Sequence, residues 1–335
     1  MLRVSVVVPF FDAANTLAQC LAALRAQSLA RDVYEVIAVD DGSTDGGGEV
    51  AAAAGVRVVR QANRGAPAAR NAGIAAAAGE WVAFTDADCI PSRGWLHALL
   101  AAVEGAGASA TTSTAAADPP VLGAAGPLYG HDSRTPAARF VDLARGLDTE
   151  RHLAHPRFPF APSGNVMYRR AALAAVGGFD ERYASYDACD LHTRLRRIGG
   201  AFVFERAAVV LHRHRATWRA YWRQQIGYGR GLAQFYLRWL DDIPWSAACE
   251  ARAWAEIVPR LATASLPAAA DAALIRRGTL VKDLAQRIGF VRTYYRAAER
   301  ARWRDGDQPR PWTGDSSQSK IRHDAGAGTE SRVAR

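Results

Sequence analysis

The chain has 335 residues, a formal net charge of +9 and 49% hydrophobic residues, enough apolar surface for one large domain or two small ones. A basic chain suits nucleic acid, an anionic membrane face or phosphorylated ligands, although arginine-rich composition alone gives the same charge. Neither an RNA-binding nor a helix-turn-helix signature stands out, so a nucleic-acid partner is not expected.

The first third of the chain alternates strand and helix patterns. Its start, MLRVSVVVPFFDAANTL, has a short β-branched run broken by Pro9, which predicts a buried strand at residues 3–10 and not a signal peptide. A helix capped by Asn15 or Thr16 follows. Further strands are predicted in YEVIAVD, at residues 56–61 and in EWVAFTDAD, with a helix over APAARNAGIAAAAG. This βαβ alternation predicts an α/β fold with a mostly parallel central sheet.

The middle and end of the chain differ from this pattern. Residues 115–162 lack a clear period and predict long binding loops with one helix at 137–147. A strand and helix, a turn at Gly177 and Gly178, a short helix in CDLHTRLRRIGG and one or two strands in AFVFERAAVVLHRHR come next. Thr217 is predicted to cap a helix reaching about residue 240, either packed on the sheet or lying at a membrane interface. Helices are predicted to residue 303, and the polar residues 305–335 are predicted to be disordered.

The cysteines and the hydropathy together predict the compartment. The four cysteines are scattered with no CxxC pair, which argues against a zinc knuckle and a disulfide framework. No stretch reaches the roughly 18 apolar residues that a membrane helix needs. We therefore expect a cytoplasmic protein, in peripheral contact with the anionic inner face of a membrane.

Acidic side chains recur where the predicted strands end. Asp40 and Asp41 follow one strand, and Asp86 and Asp88 follow another. In doubly wound sheets, ligands bind beyond the carboxyl ends of the strands. Two carboxylates spaced like Asp86 and Asp88 can reach one divalent cation, and Mg²⁺ and Mn²⁺ favour such oxygen ligands. A pair of solvated loop acids is the alternative.

Several motifs together resemble the family 2 glycosyltransferases, which have the GT-A fold. The motifs are VSVVVPFFDAANTLAQCLAAL, VIAVDDGSTDG, NRGAPAARNAGI, GEWVAFTDADCIP and VGGFDERY, and the resemblance covers residues 4–214. Each motif is common alone, and their shared order and spacing is specific.

The resemblance implies roles for individual residues. The nucleotide-sugar site would comprise Pro9, Phe10, Asp12, Asp40, Asp41, Arg64, Arg70, Asp86, Gly164 and Asn165. Among these, Asp40 would contact the base, and Gly164 and Asn165 would lie near the sugar and acceptor. A divalent metal, Mn²⁺ or Mg²⁺, would be bound by Asp88, Asp86, His212 and His214, although either histidine alone is as well explained as an ordinary strand-end residue.

One departure from the family pattern concerns the catalytic base. The family's E-D-x-D-L segment reads DACDL here, so Ala188 stands at the position of the expected base. Three alternatives follow: Asp187 acts as the base, Asp190 acts as the base, or the enzyme is impaired. We favour Asp187 for the role, although a residue at a helix start is also explained by capping.

The resemblance implies an inverting transferase that moves one sugar from a nucleoside-diphosphate donor to a saccharide or lipid-linked cell-envelope acceptor. The donor that the resemblance implies is a UDP-sugar. The expected division is a catalytic domain at 1–215 (a donor half to about 115, an acceptor half from 116), helices at 216–304 and a tail at 305–335. A non-catalytic nucleotide-sugar-binding subunit is one alternative. A nucleotidyltransferase is another, but its glycine-rich basic loop is missing after the first strand. The sugar, acceptor, linkage and oligomeric state are left open.

Overall fold

The computed structural model describes residues 1–110 and 119–304, and the predicted tail lies outside them. Within these ranges the strands are β1 (Val4–Phe10), β2 (Tyr34–Asp40), β3 (Arg57–Arg60), β4 (Trp81–Phe84), β5 (Cys89–Pro91), β6 (Val121–Ala125), β7 (Leu128–Gly130), β8 (Val166–Arg169), β9 (Ala201–Phe204) and β10 (Val210–His212).

The helices lie between and after these strands. They are α1 (Ala14–Arg25), α2 (Gly47–Ala53), α3 (Ala66–Ala76), α4 (Trp95–Ala110), α5 (Pro136–Leu143), α6 (Thr149–Leu153), α7 (Arg170–Ala175), α8 (Asp187–Arg197), α9 (Trp218–Arg238), α10 (Ala247–Thr263), α11 (Ala270–Tyr294) and α12 (Ala297–Arg304).

A seven-stranded sheet with the order β3-β2-β1-β4-β8-β6-β9 forms the centre of the fold. The first four strands of this order run parallel, β8 is antiparallel to both of its neighbours, and β9 is parallel to β6. The α/β fold with a mostly parallel sheet is confirmed. A small second sheet, β5-β10-β7, lies beyond the end of β4 and joins three segments that are far apart in the chain.

Strand β1 explains how the sheet is buried on both faces. Every residue of VSVVVPF is buried, as expected for a parallel strand covered on two sides. Val6 and Val8 pack in one core cluster with Leu17 and Leu21 of α1, whereas Val7 packs in the other cluster with residues of α3. A Cβ atom at Gly73 of α3 would lie 2.3 Å from Val7, so only glycine allows this close helix packing.

Three local predictions are wrong. Neither Asn15 nor Thr16 caps α1, because the helix begins at Ala14 and the carboxylate of Asp45 accepts a 2.8 Å hydrogen bond from the Ala14 N–H. The predicted strand at 80–88 ends at Phe84, which leaves both later carboxylates in a connection. Residues 115–162, predicted to be irregular, contain the short strands β6 and β7, whose sequences VLGAA and LYG show no alternation of apolar and polar residues. Residues 111–118 lie outside the described part of the chain.

The C-terminal helices form an aromatic-rich layer. Thr217 caps α9 as predicted, its hydroxyl accepting a bond from the Ala220 N–H. Helix α9 packs mainly against α11 and not against the sheet. The two helices approach each other closely at Gly229, where a Cβ atom would collide with the backbone of Gln286. The buried aromatic residues of α9 favour packing over a membrane interface. None of the helices in the described ranges is both long and apolar enough to cross a membrane.

Candidate active site

The carboxyl ends of β1, β2 and β4 meet at one edge of the sheet because these strands run parallel. The loop after β1 is tied to the loop after β2. Asp12, at a φ of +47°, accepts a 2.8 Å bond from the Thr44 N–H, and the hydroxyl of Ser43 accepts one from the Asp12 N–H. These bonds hold the two loops together at this edge of the sheet.

Asp40 and Asp41 are both buried at this edge but have different surroundings. Asp40 accepts a 2.8 Å bond from the Ser43 N–H and lies 3.8 Å from Arg60. Both oxygens of Asp41 accept bonds from the segment after β3: one from the Gln61 side chain and the Arg64 N–H, the other from the Gly65 N–H. Asp41 therefore positions the loop that leads into α3.

The side chains of Pro9, Phe10 and Arg64 do not point together toward this edge. Pro9 and Phe10 lie inside the protein, and the Phe10 ring packs in the core against Gly47. The side chain of Arg64 is exposed and forms a 2.7 Å ion pair with Glu181. The expected places of Pro9, Phe10 and Arg64 at the nucleotide-sugar site stay predictions.

The buried guanidinium of Arg70 connects two predicted site residues. It donates to Asp187 at 2.7 Å and to Asp86 at 3.2 Å, and it lies over the Phe179 ring at 5.5 Å from the ring centre. Asp187 is the first residue of α8, directly after Tyr186 in a left-handed conformation. The strand-end acid and the candidate base, 101 positions apart in the numbering, are thus held by one side chain.

Asp190 has a structural position. Its side chain is fully buried and lies within hydrogen-bond distance of Tyr183, Arg194, Arg238 and Trp239. The Asp190 carboxylate has no exposed surface, which favours Asp187 over Asp190 for the catalytic role. Asp187 is itself 7% exposed and paired with Arg70, and the role of either acid stays a prediction.

Asp88 and His212 come together as one cluster. The Nε2 atom of His212 lies 3.5 Å from Asp88, and the Arg215 guanidinium lies 3.7 Å from the other Asp88 oxygen. Burial raises the pKa of Asp88, against the opposing effect of His212. Cys89, which is fully buried, brings its sulfur within the same group of potential ligand atoms, all within 4.8 Å of one another.

The chemistry of these donors fits a divalent cation. A carboxylate and an imidazole are ligands that Mn²⁺ accepts. Burial raises the pKa of the Cys89 thiol well above its ordinary value, which disfavours the thiolate that a metal would bind. Of the four predicted ligands, the structure brings Asp88 and His212 within 3.5 Å of each other. Asp86 is bonded to Arg70 through one oxygen and His214 contacts His212, and their roles as ligands stay predictions.

His214 and Asp142 continue the cluster away from the sheet edge. The Nδ1 atoms of His212 and His214 are 3.1 Å apart, and Nε2 of His214 lies 2.9 Å from the Asp142 carboxylate. Burial lowers the pKa of His214, which keeps its ring neutral near pH 7. Asp142 belongs to α5, which sequence reasoning connected with no site.

Gly164 and Asn165 lie next to the cluster, in the segment just before β8. A Cβ atom at Gly164 would lie 3.3 Å from an Asp86 oxygen and 3.4 Å from the Cys89 sulfur, so the backbone approaches both closely. Asn165 is fully buried: it accepts from the Trp95 indole and donates to the carbonyls of residues 127 and 208. These bonds of the Asn165 amide hold the segment that contains Gly164, and the expected contact of Asn165 with a sugar stays a prediction.

Sequence reasoning missed Arg215 and Tyr228. Burial raises the pKa of the Tyr228 phenol to about 12, and three carboxylates, those of Asp86, Asp88 and Asp187, add to the rise. The hydroxyl is therefore within electrostatic reach of all three acids. The only sequence feature near Tyr228 that could have pointed to it is the segment YWRQQIGYGRG. This segment lies on a helix far along the chain, and only tertiary packing brings it to the end of the sheet.

Comparison with known proteins places this geometry in context. Residues 5–177 match the sequence profile described as Glycosyl transferase family 2. The chain is 31% identical over 246 residues to a pre-mycofactocin glycosyltransferase of Mycobacterium tuberculosis, which covers 71% of this chain and 48% of that protein. This chain thus spans about half the length of that relative. It is 34% identical over 110 residues to glycosyltransferase AglE of Haloferax volcanii, covering 31% of this chain and 36% of that one.

Solved structures share the fold. The mannosyltransferase PcManGT of Pyrobaculum calidifontis, in complex with GDP-Man and Mn²⁺, superposes with a TM-score of 0.56 at 20% identity, over 88% of this chain and 87% of that chain. S. aureus TarS 1–349 in complex with UDP-GlcNAc superposes with a TM-score of 0.50 at 15% identity, over 87% and 91% of the two chains. At these identities the likeness concerns the fold alone.

Proposed function

The chain belongs to glycosyl transferase family 2, and we propose that it is an inverting glycosyltransferase that transfers one sugar from a nucleoside-diphosphate donor to an acceptor hydroxyl. The observation that carries the proposal is the double contact of Arg70 with Asp86 and Asp187. It brings a donor-side carboxylate and a candidate base to one point, as a single displacement at a sugar carbon requires.

The donor would lie along the ends of β1, β2 and β4. Asp40 is the candidate contact to the base, and Asp12 borders the same edge from the loop after β1. Asp86, held by Arg70 on one oxygen, is the candidate contact to the ribose or the sugar. UDP is the first donor nucleotide to test, and GDP is the second because a neighbour of similar fold was solved with GDP-Man.

Asp88 and His212 would hold a divalent cation, Mn²⁺ or Mg²⁺. When bound, such a cation neutralises the negative charge of a leaving diphosphate. Arg215 adds a positive charge at the same place, 3.7 Å from Asp88. The phenol of Tyr228 stays protonated at neutral pH and can donate a hydrogen bond to a phosphate or hydroxyl oxygen.

Asp187 would take the proton from the acceptor hydroxyl. Arg70 orients its carboxylate at 2.7 Å, and the neighbouring Ala188 provides no competing acid. A base must first be within hydrogen-bond reach of its proton, so its orientation matters as much as its basicity. The oxygen freed of its proton attacks the anomeric carbon as the bond to the diphosphate breaks, which inverts that carbon.

Residues 1–215 would form the catalytic domain, with a donor half to about 115 and an acceptor half from 116, and residues 216–304 a helical extension. The acceptor is taken to be a polysaccharide or lipid-linked cell-envelope precursor. The basic charge of the chain supports peripheral contact with an anionic membrane where such acceptors reside.

A non-catalytic nucleotide-sugar-binding subunit is the second candidate, and Ala188 at the expected base position is the observation that favours it. The two are separated by comparing Asp187→Asn with the wild type for donor binding and for transfer or slow donor hydrolysis. The exposed Asp241→Asn variant is the control for the loss of one charge. Catalysis predicts turnover in the wild type and the control, with loss of turnover and retained donor binding in Asp187→Asn. Equal turnover in all three proteins would remove Asp187 as the base, and donor binding without turnover in any of them would support the binding subunit.

A further inference from the structure

Three side chains behind Asp88 form one line of polar contacts. Asp142 of α5 lies 2.9 Å from Nε2 of His214, Nδ1 of His214 lies 3.1 Å from Nδ1 of His212, and Nε2 of His212 lies 3.5 Å from Asp88. His214 is nearly fully buried, so water does not compete for its ring nitrogens. Each ring nitrogen of His214 therefore has one evident partner.

Hydrogen-bond chemistry assigns the protons along this line. A carboxylate only accepts, so Nε2 of His214 donates to Asp142. The geometry turns Nδ1 of His212 toward His214 and Nε2 of His212 toward Asp88. With one N–H on each ring, Nδ1 of His214 accepts and Nδ1 of His212 donates to it. The proton of His212 is then on Nδ1, and its Nε2 presents a lone pair on the side of Asp88. This is the tautomer in which a histidine binds a metal through Nε2.

The backbone provides the space for the line. His212 lies opposite Gly130 in the parallel pairing of β10 with β7. A Cβ atom at residue 130 would lie less than 2 Å from an Asp142 oxygen, so only glycine lets α5 bring its carboxylate this close. The contact between α5 and the histidine pair is thus a built feature of the second sheet.

We propose that Asp142 and His214 are positioning residues that hold His212 in the tautomer able to bind a divalent cation together with Asp88, and that His214 is not itself a ligand. This inference rests on the proposed function, since it concerns the cation of the donor site. It divides the two histidines, which the sequence offered as equivalent, into one ligand and one support. Partners of this kind typically change metal affinity 10- to 100-fold.

The tautomer is tested first, on the protein without metal. ¹⁵N-labelled histidine spectra distinguish ring nitrogens with and without a proton, and the His212→Gln variant assigns the signals. The expected result is a proton on Nδ1 of His212 in the wild type, and a mixture of tautomers in Asp142→Asn, because an amide can donate as well as accept. A His212 ring that carries a proton on Nε2 and none on Nδ1 in the wild type would overturn the proposal whatever the protein binds.

Metal affinity is tested second, by Mn²⁺ titration of the wild type and of variants in the presence of UDP or GDP. Asp142→Asn and His214→Gln are expected to weaken Mn²⁺ binding about 10- to 100-fold. Asp132→Asn, which removes an exposed carboxylate near α5, is the control and should bind like the wild type. Asp88→Asn and His212→Gln, which remove the ligands themselves, should lose more.

The outcomes separate failure of this inference from failure of the proposed function. If the wild type binds Mn²⁺, Asp88→Asn does not and Asp142→Asn binds normally, the metal site stands and the positioning role is wrong. If His214→Gln loses as much as His212→Gln while Asp142→Asn loses nothing, His214 is a ligand and the division is wrong. If the wild type binds no Mn²⁺ with either nucleotide, the metal-dependent function itself fails and this inference fails with it.

Discussion

Arg70 and Asp187 form a buried ion pair at 2.7 Å, and the same guanidinium reaches Asp86. Removing one partner of a buried pair leaves the other charge without compensation. We expect Arg70→Met to lower the free energy of unfolding by about 3–5 kcal/mol. Urea denaturation followed by circular dichroism measures this change.

The matched control for Arg70 is Arg64, which forms an ion pair of the same length with Glu181 in an exposed position. Because water screens exposed charges, Arg64→Met should cost about 0–1 kcal/mol. Equal losses for the two variants would show that burial does not govern the Arg70 pair, contrary to this account.

Asp187 and Asp190 are expected to respond differently to the same change. Asp190→Asn disrupts the enclosed contacts with Arg194 and Trp239 and should cost stability, with kcat of the folded enzyme near the wild-type value. Asp187→Asn should lower kcat by about 10²- to 10⁴-fold, the usual contribution of a general base. Steady-state kinetics at a temperature where both variants are folded provide the comparison. A larger kcat loss in Asp190→Asn would reverse the assignment.

His192 should contribute to acid sensitivity. It is fully buried beside Tyr168 and Phe202, and burial lowers its pKa from 6.5 to about 3. Between these values the unfolded chain binds a proton that the folded chain does not, so stability falls as the pH drops from 6.5 toward 3. The slope from this group is about 1.4 kcal/mol per pH unit.

The measurement for His192 is the free energy of unfolding at several pH values between 6.5 and 4. His192→Gln should show a shallower decline than the wild type, by about one bound proton. His97→Gln, a substitution of an exposed histidine, should leave the decline unchanged. An unchanged slope in His192→Gln would mean that this histidine is already protonated in the folded protein.

Two glycines of α9 offer a test of the helix crossing. A Cβ atom at Gly229 would lie 2.0 Å from the Gln286 carbonyl oxygen, whereas a Cβ atom at Gly227 meets nothing within 4 Å. Gly229→Ala should therefore destabilise by about 1–3 kcal/mol through overpacking. Gly227→Ala should stabilise by about 0.5–1 kcal/mol through helix propensity. Thermal unfolding of both variants decides; a stabilised Gly229→Ala would show that the helices do not cross closely there.

The sequence alone predicted those site residues whose position depends only on the neighbouring residues of the chain. The acids after β2 and β4 could be found because a buried strand followed by aspartate is visible in the letters, and parallel strands bring such ends together. The positions of Asp190 and His214 could not be found. Asp190 is enclosed by Arg238, the last residue of α9, and by Trp239, which follows it. His214 is supported by Asp142 of α5, and both sets of contacts exist only once distant segments pack.

The same reason explains the local errors. The cap of α1 comes from Asp45, in a different loop, so the cap-type residues Asn15 and Thr16 gave a misleading local signal. The short strand β7 is stabilised by β10, which follows it by about eighty residues, and its three residues alone show no period.

The central claim is that Asp88 is part of a metal-dependent site for a nucleotide sugar. Its most direct test is the thermal stability of the wild type and Asp88→Asn with Mn²⁺ and a panel of nucleoside diphosphates and nucleotide sugars. A ligand present at about 100 times its Kd stabilises the protein by about 2.7 kcal/mol. We predict a Mn²⁺-dependent rise in the wild type with one nucleotide family, absent in Asp88→Asn. No rise with any member of the panel, in well-folded wild-type protein, would contradict the claim.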